Sequence, residues 1–284
     1  TGCAVAMADL DNDGDVEILV GHLIFDHEGH IVQELADANP SYNSWTNTLP
    51  TAADLDGDGD LEVVLGRSAY HHNGDEVFLR SELSMGTPQV ADLDLDGAPE
   101  ILLFNPEGIS ILEADGTPVI TELRPTGDTP GNQAWMRPAT IHDVDGDGSP
   151  DFAASTDDLF VVYDNQGNIK WQSPIEDYTG AAGSTAFDFL GDGIAEAMYA
   201  DHTHLYIYGD ALEPMFMAPR SSKTYKEYPV VADVDNDGSS EIVLVSGNNF
   251  DNEQTAPSVQ VVGEVMDRWV QGRRIWNQHT YHVT

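Results

Sequence analysis

The sequence contains the acidic segment Asp54-Leu55-Asp56-Gly57-Asp58-Gly59-Asp60-Leu61-Glu62, followed at once by the apolar run Val63-Val64-Leu65. Acidic side chains occupy positions one, three, five and nine of this loop, and glycine occupies position six. Carboxylates at this spacing can surround a hard divalent cation, and the glycine permits the sharp turn that brings them together. The first half resembles the calcium loop of a helix-loop-helix site, but the residues after it are typical of a β-strand. The stretch therefore predicts a metal site between two strands.

This loop occurs six times in the chain, at nearly regular intervals. The copies begin at Asp9, Asp54, Asp92, Asp143, Asp188 and Asp233, with steps of 45, 38, 51, 45 and 45 residues. Each copy lies between two short apolar segments, and turn sequences such as Asn73-Gly74 and Asp115-Gly116 separate a third segment from a fourth. Four short strands per ~40–45 residues are typical of one blade of a β-propeller, whereas calcium-binding solenoids have periods near ~9 residues.

We therefore predict an all-β fold, a β-propeller of six four-stranded blades with the metal loop between the first and second strand of each blade. Seven blades, one of them incomplete, are the alternative. The propeller is expected to form one domain, residues 1–270, with its loops at 9–17, 54–62, 92–100, 143–151, 188–196 and 233–241. The tail at 271–284 is expected to close the ring or to begin a further blade.

The charge of the chain restricts its partners. The net charge is -39, from 50 acidic and 11 basic residues, so a nucleic acid or an anionic lipid surface is an unfavourable partner. Positions one, three, five and nine of the six loops carry 23 carboxylates, and the one exception is Leu190. Because clustered carboxylates repel one another without a cation, metal binding and folding are expected to be coupled.

Several features favour an exported protein that is part of a longer chain. The single cysteine, Cys3, excludes an intramolecular disulfide, and no apolar run approaches the ~20 residues that span a bilayer, so direct membrane insertion is not expected. Calcium loops of extracellular modules bind with dissociation constants of about 10⁻⁴–10⁻³ M, which suits an extracellular or cell-surface location. The sequence begins at Thr1, as expected of a processed or excised piece.

The tandem pattern Ala-Asp-Leu-Asp-Gly-Asp-Gly-x-x-Glu, followed by an apolar strand, resembles the FG-GAP and VCBS repeats of the integrin α-subunit propeller and of many bacterial exported proteins. Five of the six loops match all four acidic positions. The resemblance implies a β-propeller stabilised by calcium, which is held by the side chains of positions one, three, five and nine and by the main-chain carbonyl of position seven. The ligands that it implies in these five loops are Asp9, Asp11, Asp13, Asp15 and Glu17; Asp54, Asp56, Asp58, Asp60 and Glu62; Asp92, Asp94, Asp96, Ala98 and Glu100; Asp143, Asp145, Asp147, Ser149 and Asp151; and Asp233, Asp235, Asp237, Ser239 and Glu241.

The fifth loop departs from the pattern, because Leu190 offers no oxygen at position three. At most Asp188, Asp192 and Glu196 remain as side-chain ligands there. We therefore predict five strong Ca²⁺ sites and a sixth, at 188–196, that is weak or empty.

These features predict a calcium-stabilised extracellular binding or adhesion module that recognises a protein or a glycan and is not an enzyme. An acid-only shell without histidine gives poor support for metal-assisted hydrolysis. The alternatives are the calcium-loaded propeller of a polysaccharide lyase and a ligand-free spacer domain of a large surface protein. A lyase would need a pocket that joins His or Tyr with Arg. The pairs His71-His72 and His202-Thr203-His204 are expected at the start of third strands.

Overall fold

Strands are the regular elements in the described part of the chain. The computed structural model describes residues 5–37, 50–128, 139–177, 179, 182–210, 213–224, 227–249 and 252–272, so most of the predicted tail at 271–284 lies outside the described residues. Within these ranges there is no helix of any length, and hence none that could cross a membrane. The all-β prediction is confirmed for the described residues.

The strands form two compact units, Thr1–Pro138 and Ala139–Thr284, with three sheets described in each. Sheet one contains β1 (Val5–Ala8), β2 (Glu17–Val20), β3 (Leu23–Phe25) and β4 (Ile31–Glu34). Sheet two contains β5 (Thr51–Ala53), β6 (Glu62–Val64), β7 (Ser68–Tyr70) and β8 (Glu76–Leu79). Sheet three contains β9 (Thr87–Ala91), β10 (Glu100–Asn105), β11 (Gly108–Leu112) and β12 (Pro118–Leu123).

The second unit repeats this arrangement. Sheet four contains β13 (Thr140–His142), β14 (Asp151–Ser155), β15 (Leu159–Tyr163) and β16 (Ile169–Pro174). Sheet five contains β17 (Ser184–Phe187), β18 (Glu196–Ala200), β19 (His204–Tyr208) and β20 (Phe216–Pro219). Sheet six contains β21 (Val230–Ala232), β22 (Glu241–Val245) and β23 (Val259–Val262). Each sheet is an antiparallel meander in chain order, which is the arrangement of a β-propeller-like fold.

Within each unit the core lies between successive sheets, because alternate residues of a strand face opposite sides. In β6, Val63 packs in a cluster of buried residues from sheets one and two, whereas its neighbour Val64 packs in a cluster from sheets two and three. In β18, Tyr199 packs against sheet four and Met198 against sheet six. The middle strands are therefore buried on both faces. Their sequences are accordingly continuous apolar runs.

One irregularity recurs between the third and fourth strands of sheets one to four. The pairing skips one residue near the start of the fourth strand, and in sheet three it is irregular at a second place as well. Such a bulge changes the direction in which the extra side chain points. The skipped residues are Val32, Val77, Val119 and Lys170.

An aromatic cluster joins sheets four and five, and Phe160 lies at its centre. The ring of Phe160 is fully buried, 5.1 Å from the ring of Tyr199 and 5.6 Å from that of Tyr208.

We expect Phe160→Ala to lower the free energy of unfolding by about 3–5 kcal/mol through lost contacts and a cavity. The matched control is Phe216→Ala, at a ring that is 37% exposed. It should cost much less, about 1 kcal/mol, in the same urea titration. Equal costs would contradict this description of the core.

Candidate metal loops

All six loops share one backbone path, with two residues in the left-handed region. Position six is glycine in every loop, with φ between 86° and 97°. Position four also has positive φ in every loop, from 55° to 79°. Glycine and asparagine tolerate this conformation, and they occupy five of the six copies. The residues at position four are Asn12, Gly57, Leu95, Gly146, Gly191 and Asn236.

The first aspartate of each loop organises this path. In the second loop, Asp54 accepts hydrogen bonds from the main-chain N–H groups of Gly57, at 2.7 Å, and Gly59, at 3.2 Å. Asp143 makes the equivalent pair of bonds in the fourth loop, and Asp188 does so in the fifth. A carboxylate at position one therefore stabilises the loop before any cation is considered.

The aspartates at positions three and five each stabilise the turn with one oxygen. Asp56 Oδ1 accepts a hydrogen bond from the N–H of Asp58 at 3.1 Å, and Asp58 Oδ1 accepts one from Asp60 at 2.9 Å. Oxygens of Asp54, Asp56 and Asp58 lie within 4.8 Å of one another, close enough to share one ion. The first and third loops hold their own acids in the same way, as Asp9, Asp11 and Asp13 and as Asp92, Asp94 and Asp96.

The acid at position nine ties the loop to the second strand. One of its oxygens accepts a hydrogen bond from the main-chain N–H of position two in all six loops. The pairs are Leu10 to Glu17 at 2.9 Å, Leu55 to Glu62 at 2.8 Å, Leu93 to Glu100 at 2.6 Å, Val144 to Asp151 at 3.1 Å, Phe189 to Glu196 at 2.8 Å and Val234 to Glu241 at 2.9 Å. The other oxygen remains for a cation or another donor.

The third loop provides a direct test of whether the residues fit a cation. Asp92 Oδ1 is buried and has no hydrogen-bond partner among the described residues. A buried carboxylate oxygen without a donor is unfavourable, and a bound cation would satisfy it. The donors are all oxygens of carboxylates and carbonyls, the set that suits calcium better than a softer metal. The third loop therefore fits the ion that the sequence pattern implies.

The fifth loop keeps the path but not the full donor set. Asp188 accepts from the N–H groups of Gly191 at 2.6 Å and Gly193 at 2.9 Å, as in the complete loops. Leu190, at position three, is 56% exposed. The loop therefore forms without a carboxylate at this position, and its weak or empty site stays a prediction.

Two residues that the sequence pattern does not connect with the loops contact acids at position three or nine. His71 Nδ1 is 2.9 Å from Glu62 Oε1 in the second loop. In the fourth loop, Lys170 Nζ is 2.5 Å from Asp145 Oδ2 and 2.7 Å from Asp151 Oδ1. Burial opposes the charge of Lys170, but its hydrogen bonds with Asp145 and Asp151 outweigh that effect and raise its pKa. An alignment of the repeats would have indicated Lys170, since valine stands at the equivalent place in sheets one to three.

The predicted placement of the histidines is partly wrong. His71 and His72 follow the third strand of their sheet, β7, because the chain turns after Tyr70. His204 does begin β19, as expected. His202 lies in the turn before β19, where Nδ1 contacts the carbonyl of Glu176 and Nε2 lies 3.4 Å from the carboxylate of the same residue. The segment that follows β16, which contains Glu176, therefore holds this histidine in place.

The repeats and the fold agree with known proteins. Residues 92–154 match the family model of the FG-GAP-like repeat. That segment contains the third and fourth loops and strands β10 to β13. The predicted resemblance to the FG-GAP and VCBS repeat family is therefore confirmed. No curated protein matches the chain.

Solved structures share the fold at low sequence identity. The Vibrio cholerae biofilm matrix protein Bap1 matches with a TM-score of 0.75 and 18% identity, over 99% of this chain and 72% of that chain. The rhamnogalacturonan lyase PL11 of Bacillus licheniformis matches with a TM-score of 0.53 and 17% identity, over 96% of this chain and 47% of the lyase. A lectin of Agrocybe aegerita that recognises non-reducing terminal N-acetylglucosamine matches with a TM-score of 0.50 and 14% identity, over 94% of this chain and 83% of the lectin. At these identities the likeness establishes the fold alone.

Leu95 is the one position-four residue that is neither glycine nor asparagine, and its φ is 62°. The left-handed conformation costs most L-residues ~1–2 kcal/mol, and asparagine less. We expect Leu95→Asn to raise the free energy of unfolding by about 0.5–1 kcal/mol. Leu190→Asn is the matched control, because Leu190 is 56% exposed against 58% for Leu95 and is not at a left-handed position. Urea titrations in chelator, where the new amide cannot bind metal, should show a gain for Leu95→Asn alone.

The buried carboxyl group of Glu100 should make the free energy of unfolding depend on pH when no metal is bound. Burial raises the pKa of Glu100, and the nearby carboxylates of Asp94 and Glu113 raise it further, although the Leu93 N–H opposes this. The folded protein thus holds this proton at a higher pH than the unfolded chain, so the stability from protonated Glu100 is lost as pH rises through the folded-state pKa. In chelator at pH 7, Glu100→Gln should therefore melt at a higher temperature than the wild type.

The difference between Glu100→Gln and the wild type should shrink as pH falls toward 4, where the wild-type carboxyl is protonated in both states. In calcium the order should reverse, because glutamine is a weaker ligand. The exposed Glu82 supplies a control, and Glu82→Gln should leave both melting curves unchanged. A lower melting temperature for Glu100→Gln in chelator at pH 7 would contradict the electrostatic description.

Proposed function

We propose that this chain is a calcium-stabilised β-propeller that serves as a non-enzymatic, extracellular binding module for a glycan or a protein. The observation that carries the proposal is the repetition of one carboxylate loop at one place, between the first and second strands of all six sheets. A single acidic loop is often only a solvated turn. Six copies that share the hydrogen bond to the acid at position nine and both left-handed positions favour a common ion.

Contacts between neighbouring loops support a structural role for that ion. In the first unit, the N–H of Leu61 donates to the carbonyl of Leu10 at 2.7 Å, and the side chain of Asn12 donates to the carbonyl of Gly59. In the second unit, the N–H of Ala195 donates to the carbonyl of Asp143 at 3.0 Å. A cation that orders one loop therefore also orders its neighbour, and with it the packing of two sheets.

The basic side chains among the described residues favour binding over catalysis on an acidic sugar. A lyase acting on a uronic-acid polysaccharide needs a positive charge to neutralise the substrate carboxylate. Each of the seven described arginines and lysines already contacts an acceptor of the chain. The contacts are Arg67 with Asp37, Arg80 with the Gly116 carbonyl, Arg124 with Asp128, Lys170 with Asp145, Arg220 with Glu227, Lys223 with Asn252, and Arg268 with Glu264.

Proteins of similar fold are consistent with a role outside the cell. One is a biofilm matrix protein, and another is a lectin that recognises a terminal sugar. The fold is also shared with a rhamnogalacturonan lyase, of which this chain spans less than half. That likeness keeps an enzymatic role as the second candidate, and the experiment below separates the two.

We expect removal of calcium to lower the melting temperature. At a free calcium concentration ten times its dissociation constant, each site contributes about 1.4 kcal/mol. Since about 1 kcal/mol shifts the melting temperature of a domain of this size by ~2–4 °C, loss of several sites should lower it by about 10 °C or more. Addition of calcium should raise the melting temperature of Asp56→Ala less than that of Glu82→Ala. Glu82 is the control because it is an exposed acid outside the loops. A melting curve that does not change in excess chelator would exclude a structural role for calcium.

Ligand binding is tested with a glycan array and with a uronic-acid polysaccharide. The proposal expects saturable binding to a subset of glycans in calcium, lost in chelator, and no unsaturated product from the polysaccharide. Formation of unsaturated product would establish the lyase instead. No binding to glycans or to a panel of extracellular matrix proteins would favour a spacer domain and overturn the proposed function.

A further inference from the structure

The fourth loop differs from the others in that a cation of the chain already lies among its carboxylates. Lys170 Nζ is 2.5 Å from Asp145 Oδ2, 2.7 Å from Asp151 Oδ1 and 3.9 Å from Asp147 Oδ2. These residues occupy positions three, nine and five of the loop. Asp145, Asp151 and Asp143 also form one of the groups whose oxygens lie within 4.8 Å of one another. The ammonium group therefore lies against the oxygens that the sequence pattern assigns to calcium.

The backbone explains why this lysine reaches the loop. Lys170 is the bulged residue of β16, since Val162 pairs with Trp171 and Tyr163 with Ile169. The bulge recurs in sheets one to three, where the corresponding residues are Val32, Val77 and Val119. Valine is apolar and supplies no charge to the carboxylates. One position therefore distinguishes the fourth loop from the three before it.

Burial strengthens the ion pair of the fourth loop, and the ammonium group then occupies the place of a metal ion. The side chain of Asp151 is 1% exposed and that of Lys170 is 19% exposed, so water screens their attraction poorly. Because the ammonium group is tethered, its effective concentration beside these oxygens is in the millimolar range or above at any calcium concentration. Calcium bound at 2.3–2.6 Å from the same oxygens would have to displace the ammonium group.

We propose that Lys170 is the resident cation of the fourth loop, where it takes the place of calcium and holds the loop in the shared conformation without metal. This inference rests on the proposed function, because it presumes that the loops without a lysine bind calcium. It revises the expected number of strong sites downward by one. It also assigns a specific role to the bulge position: the residue there selects between a metal and a covalently attached charge.

The experiment exchanges the bulge residues between two sheets. Sheet one is the best match to sheet four, because its turn is closed in the same way: Asp26 accepts from the N–H of His30 as Asp164 accepts from that of Asn168. Lys170→Val should bind one more equivalent of calcium than the wild type, measured by equilibrium dialysis with atomic absorption. Val32→Lys should bind one fewer. Lys223→Val removes a half-buried lysine whose ammonium group donates to the side chain of Asn252, outside the six loops, and it should leave the number unchanged.

Melting curves provide a second readout that keeps the test decisive if one variant is unstable. In chelator, Lys170→Val should melt below the wild type, because Asp151 loses its partner, and calcium should remove that difference. Val32→Lys should become less dependent on calcium than the wild type. If Lys170→Val and the wild type bind equal amounts of calcium, the lysine does not exclude the metal and the inference fails. If the wild type binds no calcium at all, the proposed function fails as well, and the two failures are therefore distinguishable.

Discussion

The hydrogen bond from the main-chain N–H of position two to the carboxylate of position nine holds every loop in place, and the strands on both sides of the loop rely on it. It closes each loop across the gap between the first and second strands, at 2.6–3.1 Å in all six copies. The acceptor also begins the second strand, which is buried on both faces in sheets two to five. A carboxylate must therefore lie at the edge of an apolar core, where an unpaired charge is costly.

This constraint explains why the same acids serve both folding and ion binding. One oxygen of each carboxylate stabilises the backbone, and the remaining oxygens converge on a small volume. Convergence of negative charges is unfavourable without a counter-charge. The residues that lie among or beside the carboxylates differ from loop to loop. In the fourth loop, Lys170 supplies the charge; in the second, His71 lies beside Glu62; in the fifth, Leu190 removes one acid altogether. The shared backbone path tolerates all three solutions.

The sequence was sufficient to predict the strands and the loops because both depend on short-range patterns. Acids at fixed offsets and glycine at position six specify the turn, and apolar runs after them specify the middle strands. The position of Leu95 in the left-handed region also follows from alignment with Asn12 and Asn236, once the repeats are compared position by position.

The partners of the loops are harder to predict, because they come from residues that lie elsewhere in each repeat. An alignment of the repeats shows that Lys170 replaces a valine, but it does not show which loop the lysine contacts. Lys170 reaches the fourth loop through a bulge, and a bulge is a feature of pairing between strands rather than of local sequence. The histidines were misplaced for a related reason. Apolar content alone did not indicate that β7 ends at Tyr70, one residue before His71. Tertiary pairing decides such boundaries.

The alternation along β18 has a consequence for how this kind of chain can change over generations. Ala197 and Tyr199 contribute to one core, and Met198 and Ala200 to the next. Deletion of a single residue would exchange the two sets and place each in the wrong core. Loss or gain of a whole repeat leaves every face where it was. Such chains are therefore expected to lengthen and shorten by duplication and excision of entire repeats. The step of 45 residues, which recurs three times, is the expected size of such a change.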